Sequence, residues 1–123
     1  MANDKQYSIE VIADRIKLRL WGPINVTDLK ESTTAIVEIA QEHGITKFLD
    51  DIRDLDVSSV TIGLQTEAIG LLWKLRNFKK IAILYGDSEI GRLVHVTLET
   101  VPFSSKCRAF DNETEAIAWL DEE

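Results

Sequence analysis

Apolar and polar side chains trade places residue by residue from Ile16 to Trp21, with Ile16, Leu18 and Leu20 set against Lys17, Arg19 and Trp21. A period of two is the mark of a strand with one covered face and one wet face. A second β-rich run, Tyr7 to Ala13, precedes it, and only Asp14-Arg15 lies between them. The two runs therefore predict an antiparallel hairpin with a tight turn. Gly22-Pro23 breaks the alternation, and the period changes to that of a helix. This helix is expected to open near Asn25 or Thr27, to bury Leu29, Thr33, Ile36 and Ala40, and to stop at Gly44.

Strands and helices then follow in turn. Lys47–Ile52 reads as a strand, Leu64–Arg76 as a helix, and Ile81–Tyr85 as a continuous apolar strand of the kind buried on both faces of a parallel sheet. Asp87-Ser88 signals the start of a third helix, with Ile90, Leu93, Val94, Thr97, Leu98 and Val101 as its stripe and Pro102 as its end. Cys107–Phe110 is a last short strand. Asn112 with Glu115 then begins a final helix carrying Ala116, Ile117 and Leu120 inward. The order ββαβαβαβα predicts one α/β domain over residues 1–123: a mixed, mostly parallel five-stranded sheet with four helices and right-handed crossovers.

The helix over 64–76 has more apolar residues than a sheet-covering helix needs. Leu64, Ala68, Leu71, Leu72 and Leu75 complete an inward stripe, while Ile62, Ile69 and Trp73 fall on roughly the opposite face. Either neighbouring parts of the chain cover these three, or they form an interface, for which Trp is a favoured anchor. A homodimer through this face is the expectation, with each Trp73 near its symmetry mate or in a neighbouring apolar groove.

The element order resembles the STAS fold of anti-sigma-factor antagonists, and the C-terminal half is similar to the SpoIIAA-like family in particular. The residues that carry this are Phe78 to Asp87, a helix end running into a buried strand; Cys107 to Asp111 followed by Glu115 to Leu120; and the strand ending Phe48-Leu49-Asp50-Asp51. The resemblance implies a regulatory or protein-interaction module. The family's architecture is also similar to that of CRAL-TRIO lipid-binding domains, which implies, as the alternative, a small apolar ligand. In the antagonists a serine at the start of the helix after the third strand is phosphorylated by a partner kinase. Ser58 and Ser59 fall at about that place, although no acid adjoins them and Val60 stands where the antagonists carry glycine. On their own chemistry the two serines read as helix caps.

Net charge, −7 with a pI of about 4.8, changes the list of partners. Nucleic acid binding rests on neutralising phosphates. The one basic run, Lys74, Arg76, Lys79 and Lys80, sits where a helix end favours cations for its own sake. Nucleic acid is therefore not an expected partner. No signal sequence or spanning apolar run is visible, which makes the cytoplasm the expected compartment.

Candidate chemistry is thin. Asp50, Asp51, Asp54 and Asp56 crowd the end of the third strand and could in principle hold a divalent cation, but they read as a solvated loop, so no metal or cofactor is expected. His43 and His95, the only histidines, form no visible triad, and no phosphate-binding glycine spacing occurs. Cys107, single and in a buried strand, reads as a small inert hydrophobe. No catalytic residue is expected.

Overall fold

The computed structural model describes residues 5–23, 26–56, 62–86 and 104–122. Strands β1 (Tyr7–Ile12) and β2 (Arg15–Gly22) form the antiparallel hairpin, with Ile9 opposite Leu18 and Val11 opposite Ile16. The turn is Ala13-Asp14, one residue earlier than the sequence suggested, and Ala13 takes a positive φ of 56°. Helix α1 (Val26–His43) stops where Gly44 turns left-handed at φ 64°. Strand β3 (Lys47–Leu55), helix α2 (Ile62–Lys74) and strand β4 (Lys80–Leu84) follow. A short 3-10 turn, Ser104–Lys106, leads into β5 (Cys107–Phe110) and helix α3 (Glu113–Asp121). Three helices lie among the described residues. The helix expected to open at Asp87 falls outside them.

The five strands lie in the sheet in chain order, β1-β2-β3-β4-β5, parallel from β2 onward. Ile16, Leu18 and Leu20 face the helices α1 and α2 as their alternation required, and pack with Ile36, Phe48, Ile52, Leu75, Phe78, Ile81 and Ile83. The opposite face is closed by α3, whose Ala116 and Leu120 meet Leu49, Ala82, Leu84 and Phe110. Ile81 to Leu84 are buried throughout, because β4 has helix-facing positions on both sides.

Strand β3 runs three residues past its expected end. Beyond an irregularity between Arg19 and Trp21, β2 continues alongside it, pairing Trp21 with Asp54 and Gly22 with Leu55. Three of the acidic residues that read as loop, Asp50, Asp51 and Asp54, lie within the strand, with Asp54 against the guanidinium of Arg19 at 2.9 Å.

Candidate functional site

The outward side of α2 follows from its helical period. Leu71 and Leu75 are buried and Leu72 packs against the same cluster, so these three members of the expected inward stripe are filled; the Leu64 side chain lies outside what is described. Ile69 and Trp73, four residues apart and therefore on one face, remain 37% and 48% exposed. Ile62 opens the helix, and its side chain lies outside what is described, as do Ser58 and Ser59. Among the described residues, Val11 and Ile12 are the other large apolar residues left exposed. They are adjacent in a strand and point to opposite faces, so they make no patch together.

Arg76 frames the α2 patch. Its guanidinium lies 5.3 Å from the centre of the Trp73 ring and donates a hydrogen bond to the Trp73 carbonyl at 3.0 Å. Lys106 donates to the Arg76 carbonyl at 2.8 Å, which adds a cation to this helix end. Lys80 does not join them. Its ammonium reaches the carbonyls of Trp119 and Glu122, both at 2.6 Å, at the C-terminal end of α3. The helix dipole thus accounts for Lys80, but through a different helix from the one its position in the chain suggested.

Beside the patch, where α1 and α2 end together, lies an open groove of about 250 Å³. Val37, Ala40, Ile45 and Phe78 give it an apolar lining, and Lys74 and Asn77 a polar edge. Neither end of chain that builds it is unusual in sequence; it arises from how the two helices meet, and nothing in the sequence pattern pointed to it.

The acidic cluster does not form one site. Alternation along β3 sends Asp50 to the α1–α2 face, in line with Phe48 and Ile52, and Asp51 to the α3 face. Asp51 is 1% exposed and is gripped by Arg53, whose Nε and Nη2 donate to its two oxygens at 2.9 and 2.8 Å. Burial alone would raise the Asp51 carboxyl, but the Arg53 hydrogen bonds and the nearby Lys17 hold it below the ordinary carboxylate range. Arg53 also reaches Glu113 at 3.2 Å, and Lys17 reaches the same carboxylate at 3.1 Å. This network joins β2, β3 and α3. Among the described residues, no group of three His, Cys, Asp or Glu side chains is placed to hold a metal ion.

Asp50 is the feature that sequence reasoning missed. One of its oxygens, Oδ1, is fully enclosed with no hydrogen-bond partner among the described residues. Burial pushes the Asp50 carboxyl up to about 7, and the charge of Asp51 adds to this. The available signal was parity, since Asp50 shares its face with two core residues. Cys107, partly buried and packed on the same cluster, has its thiol pushed up to about 11, first by burial and then by Asp50. A thiol so raised is a poor nucleophile at neutral pH. His43 stands exposed in the last turn of α1, and His95 lies outside the described residues. No helix among the described residues is long and apolar enough to cross a membrane.

Three comparisons set this geometry beside known proteins. The family profile described as SpoIIAA-like matches residues 15–121. Among solved structures, the chain is similar to an uncharacterized protein of the DUF3478 family with a SpoIIAA-like fold from Shewanella loihica. The identity is 21%, the TM-score 0.65, and the match covers 93% of this chain and 91% of that one. It is also similar to the anti-sigma factor antagonist SpoIIAA in its unphosphorylated form, at 14% identity and a TM-score of 0.65, over 95% of this chain and 99% of that one. No curated protein matches the chain.

Proposed function

The chain belongs to the SpoIIAA-like family, and on that premise we propose that it is a non-catalytic regulatory module that works by protein contact through the outward face of α2. The observation that carries this reading is the pair Ile69 and Trp73, exposed on a helix whose inward side already packs Leu71, Leu72 and Leu75. Leaving a large apolar side chain wholly in water forfeits roughly 1.5–3 kcal/mol relative to burial, and these two, 37% and 48% exposed, forfeit a part of that. The partner proposed for this face is a second copy, with Ile62 extending the patch at the start of the helix. Changing Ile69 and Trp73 together to Lys is expected to turn a dimer into a folded monomer, read by light scattering with circular dichroism as the control for folding. A wild-type chain that stays monomeric at high concentration defeats the dimer.

The groove also bears on the alternative of a small apolar ligand. Small-molecule pockets usually hold about 300–1,000 Å³ and enclose most of their ligand, whereas this groove is about 250 Å³ and open. Its size favours one inserted side chain. The structural relative that has an unphosphorylated form supports a further element of the proposal, a phosphate on Ser58 or Ser59 just ahead of α2, where the helix N-terminus favours added negative charge. Mass spectrometry of protein purified from its host reads that modification and any retained ligand together.

A further inference from the structure

We infer that β1 is a second contact surface, along which two copies of the chain pair antiparallel, edge to edge, and join their sheets. The phase of the hairpin sets which backbone groups are on offer. Ile12 and Arg15 flank the two-residue turn, and the Trp21 amide donates to the Gln6 carbonyl at 3.2 Å. Both observations place the hydrogen-bonded pairs at Ser8–Arg19, Glu10–Lys17 and Ile12–Arg15. Tyr7, Ile9 and Val11 therefore turn their N–H and C=O groups away from β2, to the open edge of the sheet. Among the described residues nothing bonds to them there. Sheet edges are commonly closed by Lys, Pro or a bulge. Strand β1 has none of these, and Glu10 is its one charge.

A second copy is the occupant that this edge fits. A two-fold pairing that keeps like faces of the two sheets together sets residues of the same parity opposite each other. Centred on Ile9, it puts Tyr7 opposite the other copy's Val11, and the outward groups of Tyr7, Ile9 and Val11 all meet in hydrogen-bonded pairs. Val11, 52% exposed in the free chain, gains an aromatic neighbour on the helix side. Charge selects this register over the adjacent ones. Glu10 is exposed and enters no ion pair among the described residues. In the Ile9-centred register it faces the other copy's Ser8, a small residue with Arg19 next in the same row. Arg19 is exposed too, and its guanidinium has five donors, of which one is committed among the described residues, to Asp54. A pairing centred on Glu10 sets two carboxylates face to face. One centred on Ser8 gives Glu10 only Gln6, with Trp21 beyond it.

This contact lies apart from the outward face of α2 and stands whether or not that face pairs. It is small beside a standard interface, so its dissociation constant is expected on the order of 0.1–1 mM. A chain with both contacts grows beyond a pair only at such concentrations, and the chain changed to Lys at Ile69 and Trp73 stays monomeric when dilute. That doubly changed chain isolates the β1 contact. Its amide hydrogen exchange, read residue by residue by NMR from well below to well above the expected constant, is the test. Ser8, Glu10 and Ile12 should be protected throughout, while Tyr7, Ile9 and Val11 gain protection only as concentration rises. Val11→Pro removes one outward N–H and no bond to β2, so it should weaken pairing about tenfold with the hairpin intact. Should Pro disturb the strand, Ser8→Glu serves instead. It faces Arg19 within its own chain, but sets a second carboxylate against the other copy's Glu10 and should also weaken pairing. Protection of Tyr7, Ile9 and Val11 at every concentration would mean that the chain covers its own edge, and overturns the inference. Their exposure at every concentration overturns it too, as does pairing that neither variant weakens.

Discussion

Asp50 shows how a single residue can hold free energy that its sequence neighbours hide. Its folded-state pKa of about 7 lies above the ordinary carboxylate value of 3.8. Between those two values the folded chain keeps a proton that the unfolded chain has lost, so stability falls as pH rises across that window and levels off above about 7. Replacing Asp50 by Asn removes the titration. The stability difference between variant and wild type should therefore move in favour of the variant from pH 5 to pH 8, by on the order of a few kcal/mol. Urea unfolding at the two pH values measures this, and a flat difference would show that Asp50 titrates as an ordinary acid. Ala13 is a second local cost. A left-handed backbone costs a non-glycine residue about 1–2 kcal/mol, of which the extra freedom of an unfolded Gly gives back roughly half. Ala13→Gly should raise the urea midpoint by an amount worth about 0.5–1 kcal/mol with an unchanged slope. Neither residue was legible by type alone, since an Asp near a strand end reads as solvated and an Ala reads as neutral.

Elements were far more legible than their ends. The hairpin, α1 with its Gly44 stop, β4, β5 and α3 stand where period and capping placed them, because each signal there is local: alternation, a left-handed glycine, an N-cap. Asn112 caps α3 by accepting the Glu115 amide hydrogen at 3.1 Å, as its spacing predicted. Asn112→Ala should cost about 1 kcal/mol in thermal or urea unfolding, and no loss would mean that another group satisfies the end of the helix. Strand β3 was read too short because Arg53 and Asp54 are polar and the strand's end owes its geometry to β2 alongside. Helix α1 buries Asp28 and Ser32 as well as Thr33 and Ile36, since short polar side chains can be satisfied close by. Ser32 donates to the Leu29 carbonyl, and Asp28 accepts from the Gln6 amide. On α2 the split into filled and spare apolar faces was readable from spacing. The groove beside it was not, because it belongs to two helix ends that only tertiary packing brings together.

At the scale of the whole molecule, the Asp51–Arg53–Glu113–Lys17 network ties the hairpin, the central strand and the last helix. Asp51 is buried while Arg53 is 38% exposed, so removing the cation strands a buried carboxylate without fully freeing the cation's own solvation cost. Arg53→Met is expected to destabilise by about 2 kcal/mol, less than the 3–5 kcal/mol typical of a fully buried pair. Combining it with Asp51→Asn should recover most of that loss, and additive losses in the double-mutant cycle would mean that the two side chains do not act as a pair.

The strand order has a consequence for how the chain is made. Every hydrogen-bonded neighbour in the sheet is also the neighbour in the chain, so no strand must slot between two that are already paired. Synthesis from the N-terminus can lay the sheet down one edge at a time as the chain leaves the ribosome, each strand joining the one made just before it. Until β5 arrives, the growing edge is β4, whose residues from Ile81 to Leu84 are all destined for burial. That is an unguarded template for pairing with another nascent chain. The brief β5 and the helix behind it act as the stopper, and a transcript truncated ahead of Cys107 would release a product that sticks to its own kind.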